Sequence, residues 1–284
     1  MERIYEGNLV QIFRITPNVY FRKADLDKRG QCNGAYLVRG SMVAAVDVPT
    51  MEAAAEMAEE SERLFGQPIR YIFVTHGHDD HVGGLPFFLD KPVTLFCSHR
   101  LKEQLSPAGR AQESAIVCVN GIVSLQLAGL EIELSTLPVT AHSPCDLFVR
   151  LPKEQILCVG DAAVEFETLY FHEADVENWI ASLWSMSAKP GKWILPGHGD
   201  VYPHTHLGDV AAFIETLRRA ALDCLSRLPA ESVKNLDEQK IDEHLCAYLS
   251  GTDADALTIC QKAGKDARRE LGMVFHHVLQ KQWV

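Results

Sequence analysis

The sequence holds no apolar run approaching the ~20 residues of a membrane-spanning helix, which argues against a helical membrane protein. The stretch Met1-Glu2-Arg3-Ile4-Tyr5-Glu6 lacks an apolar signal core, so nothing in it points to export. Positive charge is scarce: 27 Lys and Arg stand against 38 Asp and Glu, a formal net charge of −11. Such a balance repels phosphate backbones and anionic lipid, which speaks against nucleic acid or a membrane as partner. Repeats and low-complexity tracts are missing, and no Ser–His–Asp nucleophile is signalled. The eight cysteines do not cluster into a disulfide framework. Cys97, Cys118 and Cys158 fall inside apolar strand-like runs, where a free thiol behaves as a small hydrophobe. Reduced thiols and no export signal give a cytoplasmic location as the expectation, and Cys145, three residues after His142, as the cysteine nearest any site.

What the chain does have is enough apolar sequence for a sizeable core, 47% of 284 residues with 23% charged, as in soluble globular proteins. Runs at 9–13, 19–21, 35–38 and 42–46 are apolar and β-rich, and Arg39-Gly40-Ser41 separates the last two as a hairpin turn. Residues 25–31 form a polar loop expected to border a cleft. Residues 51–65 predict a helix stopped by Gly66, and 69–74 a buried strand. A short helix at 85–89, a strand at 93–97 and a helix at 98–105 follow, then strands at 115–119, 122–127, 130–137, 147–151 and 156–159. Asp175 reads as the N-cap of a helix over 175–188 with Trp179, Leu183 and Met186 on one face, and 193–195 as a last strand. This order suits two sheets packed together with helices outside. Beyond residue 208 the pattern turns helical, over 210–228 to Pro229, 241–249 and 256–280, with no ligand-spaced His or carboxylate cluster. The expected division is 1–208 as a catalytic domain and 209–284 as a helical extension that packs or shapes the substrate site.

One stretch stands apart. The 69–74 strand stops in Thr75-His76-Gly77-His78-Asp79-Asp80-His81, three imidazoles and two carboxylates whose crowding needs a cation. Histidines at i and i+2 of an extended segment point the same way, so His76 and His78 can grip one metal; Asp80 and His81, past a turn, can grip another. Three later strands end in the same manner: His142 after 130–137, Asp161 after 156–159, and His198 between two glycines after 193–195.

The motif His76-x-His78-x-Asp80-His81, followed by His142, Asp161 and His198, resembles the metallo-β-lactamase superfamily of metallohydrolases over about residues 9–208. The resemblance implies an α/β fold: an αββα sandwich of two mixed sheets with outer helices, its site at one edge between the sheets, here followed by the C-terminal helices. It also implies that His76, His78 and His142 bind one metal, that Asp80, His81 and His198 bind a second, and that Asp161 bridges them. Imidazoles and carboxylates suit Zn²⁺, with Fe or Mn as alternatives, so the implied cofactors are two divalent ions. A water bridging two dications would lose a proton near neutral pH and attack a carbonyl, with Asp80 as the catalytic carboxylate holding it in line. Asp79 reads as solvent-facing.

Substrate stays open, because the superfamily cleaves thioesters, lactones, β-lactams, phosphodiesters and sulfate esters. Secreted β-lactamases usually carry an export signal and lack the bridging aspartate; the seven-ligand set is more similar to glyoxalase II-like thioesterases and acyl-homoserine lactonases. The reading favoured is a hydrolase of a small thioester or ester, with a lactone hydrolase next. A persulfide dioxygenase-like iron enzyme and a low-turnover sensor remain as alternatives. Tyr170, Phe171 and His172, in the 162–175 loop, are the candidate substrate contacts, while His204 and His206 read as surface loop residues. Two departures stand out: Arg268, Arg269 and Lys281 do not align with the basic residues of glutathione-specific members, and Ser143-Pro144-Cys145-Asp146 follows His142 where many members have Thr or Ser and then Gly. Expected partners are a small-molecule substrate, no nucleic acid and no membrane, with a homodimer left open.

Overall fold

Period-two alternation along the strands settles the layering. In Met42–Val46, Met42, Ala44 and Val46 face one apolar cluster while Val43 and Ala45 face another. The same split occurs in Ile156–Gly160, where Ile156 and Cys158 point to the shared interior and Leu157 and Val159 to the opposite side. Both strands are therefore buried on two faces, which requires a further layer outside each sheet.

The chain, seen in a computed structural model that describes residues 1–25, 31–105, 115–228, 238–251 and 254–282, meets that requirement. One sheet has eight strands in sequence order: β1 (Glu2–Glu6), β2 (Val10–Thr16), β3 (Val19–Ala24), β4 (Gly34–Arg39), β5 (Met42–Val46), β6 (Tyr71–Phe73), β7 (Thr94–Ser98) and β8 (Ala115–Val119). It is antiparallel up to β5 and parallel from there on. The other sheet has six strands, in the order β14 (Tyr202–Pro203), β13 (Trp193–Pro196), β12 (Ile156–Gly160), β11 (Leu147–Leu151), β10 (Leu130–Thr136) and β9 (Ile122–Leu127). Only the β12–β13 pair is parallel in that sheet. Phe21, Leu37, Phe73 and Phe96 meet Ile132, Leu147, Val149 and Leu195 between the sheets.

Helix α1 (Met51–Phe65) covers the outer face of the first sheet through Ala53, Ala54 and Met57. Thr50 caps its start by accepting a hydrogen bond from the Ala53 amide, and Gly66 ends it in the left-handed conformation. Between β6 and α4 (His99–Leu105) lie the short helices α2 (Asp79–Val82) and α3 (Pro86–Leu89). The second sheet is covered by α5 (Val176–Ser187) and α6 (His206–Ser226). Asp175 does cap α5, its Oδ1 accepting from the Asn178 amide at 3.0 Å, and Trp179 and Leu183 are fully buried beneath it.

The tail forms α7 (Glu238–Leu249), α8 (Ala254–Ala263) and α9 (Ala267–Gln282). The single helix expected over 256–280 is broken because Gly264 takes a positive φ of 57° and a 3₁₀ turn follows. Residue 208 lies inside α6, and Phe213, Ile214 and Leu217 of that helix share one apolar cluster with Trp179 and with Leu271 and Phe275 of α9. Strand β1 escaped the sequence pattern because Glu-Arg-Ile-Tyr-Glu is too polar to read as a strand, although β2 pairs with it. Most of the polar loop at 25–31, and Pro229, lie outside the described residues. No helix among the described residues is long and apolar enough to cross a membrane. All eight cysteines are free thiols.

Candidate metal centre

Strand β6 from the first sheet and β12 and β13 from the second end at the same rim. Just past those ends stand His76, Asp161 and His198, and the loop after β10 adds His142. His78 immediately precedes α2, whose first turn contains Asp80 and whose third residue is His81. All seven sequence-derived ligands are thus gathered in one place, from segments far apart in the chain.

They fall into two groups that share a neighbour. Donor atoms of His76, His78, His142 and Asp161 lie within 4.8 Å of one another, as do those of Asp80, His81 and His198. His76 Nε2 and His78 Nδ1 are 2.9 Å apart, so the i, i+2 geometry aims both rings at one point. Asp161 stands between the groups. Its Oδ2 is 3.8 Å from His76 Nε2 and 3.4 Å from His198 Nε2, and its Oδ1 is 3.2 Å from His81 Nε2. His198 Nε2 also reaches Asp80 Oδ2 at 3.1 Å. Gly197 allows this approach, since a Cβ there would lie 2.1 Å from Asp161 Oδ1.

Several of these buried atoms have no hydrogen-bond partner: both ring nitrogens of His142, Nε2 of His78 and His81, and Oδ1 of Asp161. A buried polar atom left unmade costs about 1–3 kcal/mol, and a site that gathers five is built for something that binds lone pairs. Divalent cations fit that donor set of imidazoles and carboxylates.

Electrostatics divide the two groups. Burial pushes His76 well below the usual imidazole range, and His81, His142 and His78 repel its proton further. Burial likewise takes His142 down to about 4. The second group runs the other way. Burial opposes the proton on His81, but Asp161 and Asp47 outweigh it and hold the ring well above its ordinary value. Cys32 also bears on that ring, though burial lifts its thiol to about 12 and leaves it neutral at ordinary pH. His198 rises to about 9, with burial overcome by the charge and hydrogen bond of Asp161 and by the Asp80 hydrogen bond. Asp161 is held well below the carboxylate range by His81 and His198 against its own burial, and Asp80 is lowered for the same reason.

Two residues of the site had gone unrecognised in the sequence. Asp47, directly after β5, accepts from His81 Nδ1 at 2.8 Å, from the Thr75 amide at 2.8 Å and from Thr75 Oγ1 at 2.7 Å. It does so from a left-handed φ of 59°, a conformation non-glycine residues rarely adopt. By holding Nδ1 it directs Nε2 of His81 towards Asp161. The signal was a carboxylate following an apolar strand, the same pattern as Asp161. Cys32, whose thiol lies within 4.8 Å of donor atoms of Asp47 and His81, offered no such signal, while the expected Cys145 belongs to the apolar cluster of the first sheet.

Around the centre opens a cleft of about 630 Å³, lined by His78, Asp79, Asp80, Asp161, Thr168, Tyr170, Glu173 and His198. Asp79 is exposed there. Tyr170 is 47% exposed with its ring edge-on to His78 at 5.6 Å. Phe171 turns inward instead and packs on Trp179 at 5.1 Å, while His172 faces solvent beside Tyr170. His204 and His206 are buried rather than on the surface: His206 stacks on Tyr202 and its Nε2 meets the Val164 carbonyl at 3.1 Å. The Ser143-to-Asp146 departure forms a closed turn, in which Asp146 accepts from the Ser143 amide and hydroxyl at 3.0 and 2.6 Å. Trp179 supports His142 from behind, ring centroids 5.0 Å apart, and donates Nε1–H to the Ala162 carbonyl.

The family model described as Metallo-beta-lactamase superfamily matches residues 44–198, from β5 through His198. The chain belongs to the metallo-beta-lactamase superfamily. Metallo-beta-lactamase IND-1 of Chryseobacterium indologenes is 27% identical over 179 residues, 61% of this chain and 74% of that protein. Metallo-beta-lactamase type 2 of Bacillus cereus is 23% identical over 167 residues, 57% of this chain and 62% of its own length. Among solved structures, a metallo-beta-lactamase from Pontibacter korlensis superposes with a TM-score of 0.63 at 17% identity, covering 72% of this chain and 99% of that one. That likeness shows the fold.

Proposed function

We propose that the chain is a metal-dependent hydrolase with a two-ion centre, acting on a small thioester or ester. The observation that carries this reading is Asp161, a single carboxylate set between two complete donor groups. His76, His78 and His142 would hold one ion and Asp80, His81 and His198 the other, Zn²⁺ fitting both sets. Ions bound there supply Lewis acidity and an acidified water for attack on a carbonyl.

The chain's own groups do the rest. Asp80 stays ionised near neutrality and lines the cleft, where its carboxylate can accept a hydrogen bond from an attacking water and hold that water in line. Tyr170 presents a phenol hydroxyl beside His78, placed to hydrogen-bond the acyl oxygen or leaving group. Asp47 fixes His81, and Trp179 fixes His142, so the donors are pre-arranged. No Lys or Arg is among the lining residues described, which supports a substrate held by its acyl group over one anchored by carboxylates.

Zinc-loaded protein should hydrolyse short acyl thioesters or aryl esters in a panel that also contains lactones and a β-lactam. Preferential β-lactam turnover would move the substrate to that of the named relatives. Iron in protein purified without added metal, with oxygen consumption, would replace hydrolysis by redox chemistry.

A further inference from the structure

Asn33 is outside every donor group, yet it is 2% exposed and three of its four hydrogen bonds end on the segment that carries His198. Its amide N–H donates to the Gly197 carbonyl at 2.6 Å. Its Nδ2 donates to the carbonyls of Pro196 at 3.2 Å and Gly199 at 3.0 Å. The fourth bond anchors it: Oδ1 accepts from the Ala24 amide at 2.9 Å, at the end of β3 in the first sheet.

His198 needs such help. Glycines flank it on both sides, so the local backbone has more freedom than any other sequence would give it. Its side chain is 20% exposed and its close polar partners are Asp80 and Asp161, which are themselves donors. Packing therefore does little to aim the imidazole, and the aim depends on where the 196–199 backbone is fixed. Asn33 holds a carbonyl on each side of His198 and joins that backbone to the opposite sheet.

We propose that Asn33 is the positioning residue of the second donor group: its carboxamide clamps residues 196–199 to the first sheet and so sets where His198 meets Asp80 and Asp161. This rests on the two-ion reading above. Only a carboxamide serves all three bonds. Aspartate has the same shape but would press an oxygen against two carbonyl oxygens, and leucine would leave every partner unpaired.

The test uses the full chain, stripped of metal and titrated with Zn²⁺ by calorimetry, and with Co²⁺ by its visible absorption. Asn33→Asp and Asn33→Leu are compared with wild type and with Ser61→Ala. The last removes a different buried bond, from Ser61 Oγ to the Gln67 carbonyl at 2.6 Å on the outer helix α1. Both Asn33 variants should keep the first ion within about threefold of wild type, which also shows that they fold. The second ion should bind about 10–100-fold more weakly, the usual loss when a group behind a ligand is removed. Their Co²⁺ spectra should change in the component that fills second, and Ser61→Ala should bind both ions normally. Unchanged second-ion affinity in Asn33→Asp, equal weakening or loss of both ions, or the same loss in Ser61→Ala would overturn the proposal. A wild-type chain that takes up one ion only would instead overturn the two-ion reading beneath it.

Discussion

The two donor groups of this centre reach readiness for a cation by opposite routes. His76 and His142 are buried and neutral, and His142 has no hydrogen-bond partner at either ring nitrogen, so its lone pairs have nothing else to do. Asp80, His81 and His198 already neutralise one another, protonated imidazoles beside ionised carboxylates. The first group is organised by burial and the second by charge. A cation entering the first relieves desolvated atoms, whereas one entering the second must displace protons.

The largest break in that comparison comes from the residue common to both groups. Asp161→Ala should weaken both ions and lower hydrolysis by about 10³-fold or more, since it removes the charge that holds His81 and His198. His78→Ala should cost one ion and a comparable share of activity, and Asp79→Ala neither; metal analysis and rates on one ester settle all three. Gly197→Ala comes next. A Cβ 2.1 Å from Asp161 Oδ1 and 2.6 Å from His81 Cε1 should disturb the charged group more than the buried one, reducing second-ion occupancy in a zinc titration.

Behind the buried group, Trp179→Ala should cost about 3–5 kcal/mol of stability in a denaturant melt and loosen the first ion. Trp179→Phe, which keeps a ring against His142 but loses the bond to the Ala162 carbonyl, should cost less.

The smallest effect lies where the tail meets α5. Glu177 is brought down to about 2, its partial burial outweighed by Lys281, His277 and Arg218. Asp175, Glu177 and His277 could pass for a third donor group, but Lys281 already sits on both carboxylates at 2.9 and 2.8 Å. A depressed carboxylate contributes stability that is present above its unfolded value near 4.5 and lost as pH falls through about 2. Glu177→Gln should therefore be less stable at neutral pH, by no more than about 1 kcal/mol for pairs this exposed, and should match wild type at the acid end of a pH series of melts.

The sequence showed the donors because each follows an apolar strand and each is a residue type that burial penalises. His76, His142, Asp161 and His198 could be read in that way one strand at a time. Asp47 obeyed the same pattern, but a lone carboxylate after a strand has many ordinary explanations, and only contact with His81 and Thr75 gave it a role. Asn33 and Cys32 were invisible because what matters is the segments they touch in the fold, not their own neighbours in the chain. The layers followed from the order of strands and helices, whereas polar β1 and the break at Gly264 followed from pairing and backbone conformation that periodicity does not encode. Tyr170 and Phe171, adjacent in sequence, separated into cleft and core for the same reason.

The central claim is that one carboxylate joins two ion sites, and counting ions tests it most directly. Zinc-loaded, dialysed protein should contain two ions per chain, His78→Ala one, and Asp161→Ala fewer than one. A single ion in the wild type, or two retained in Asp161→Ala, would contradict it.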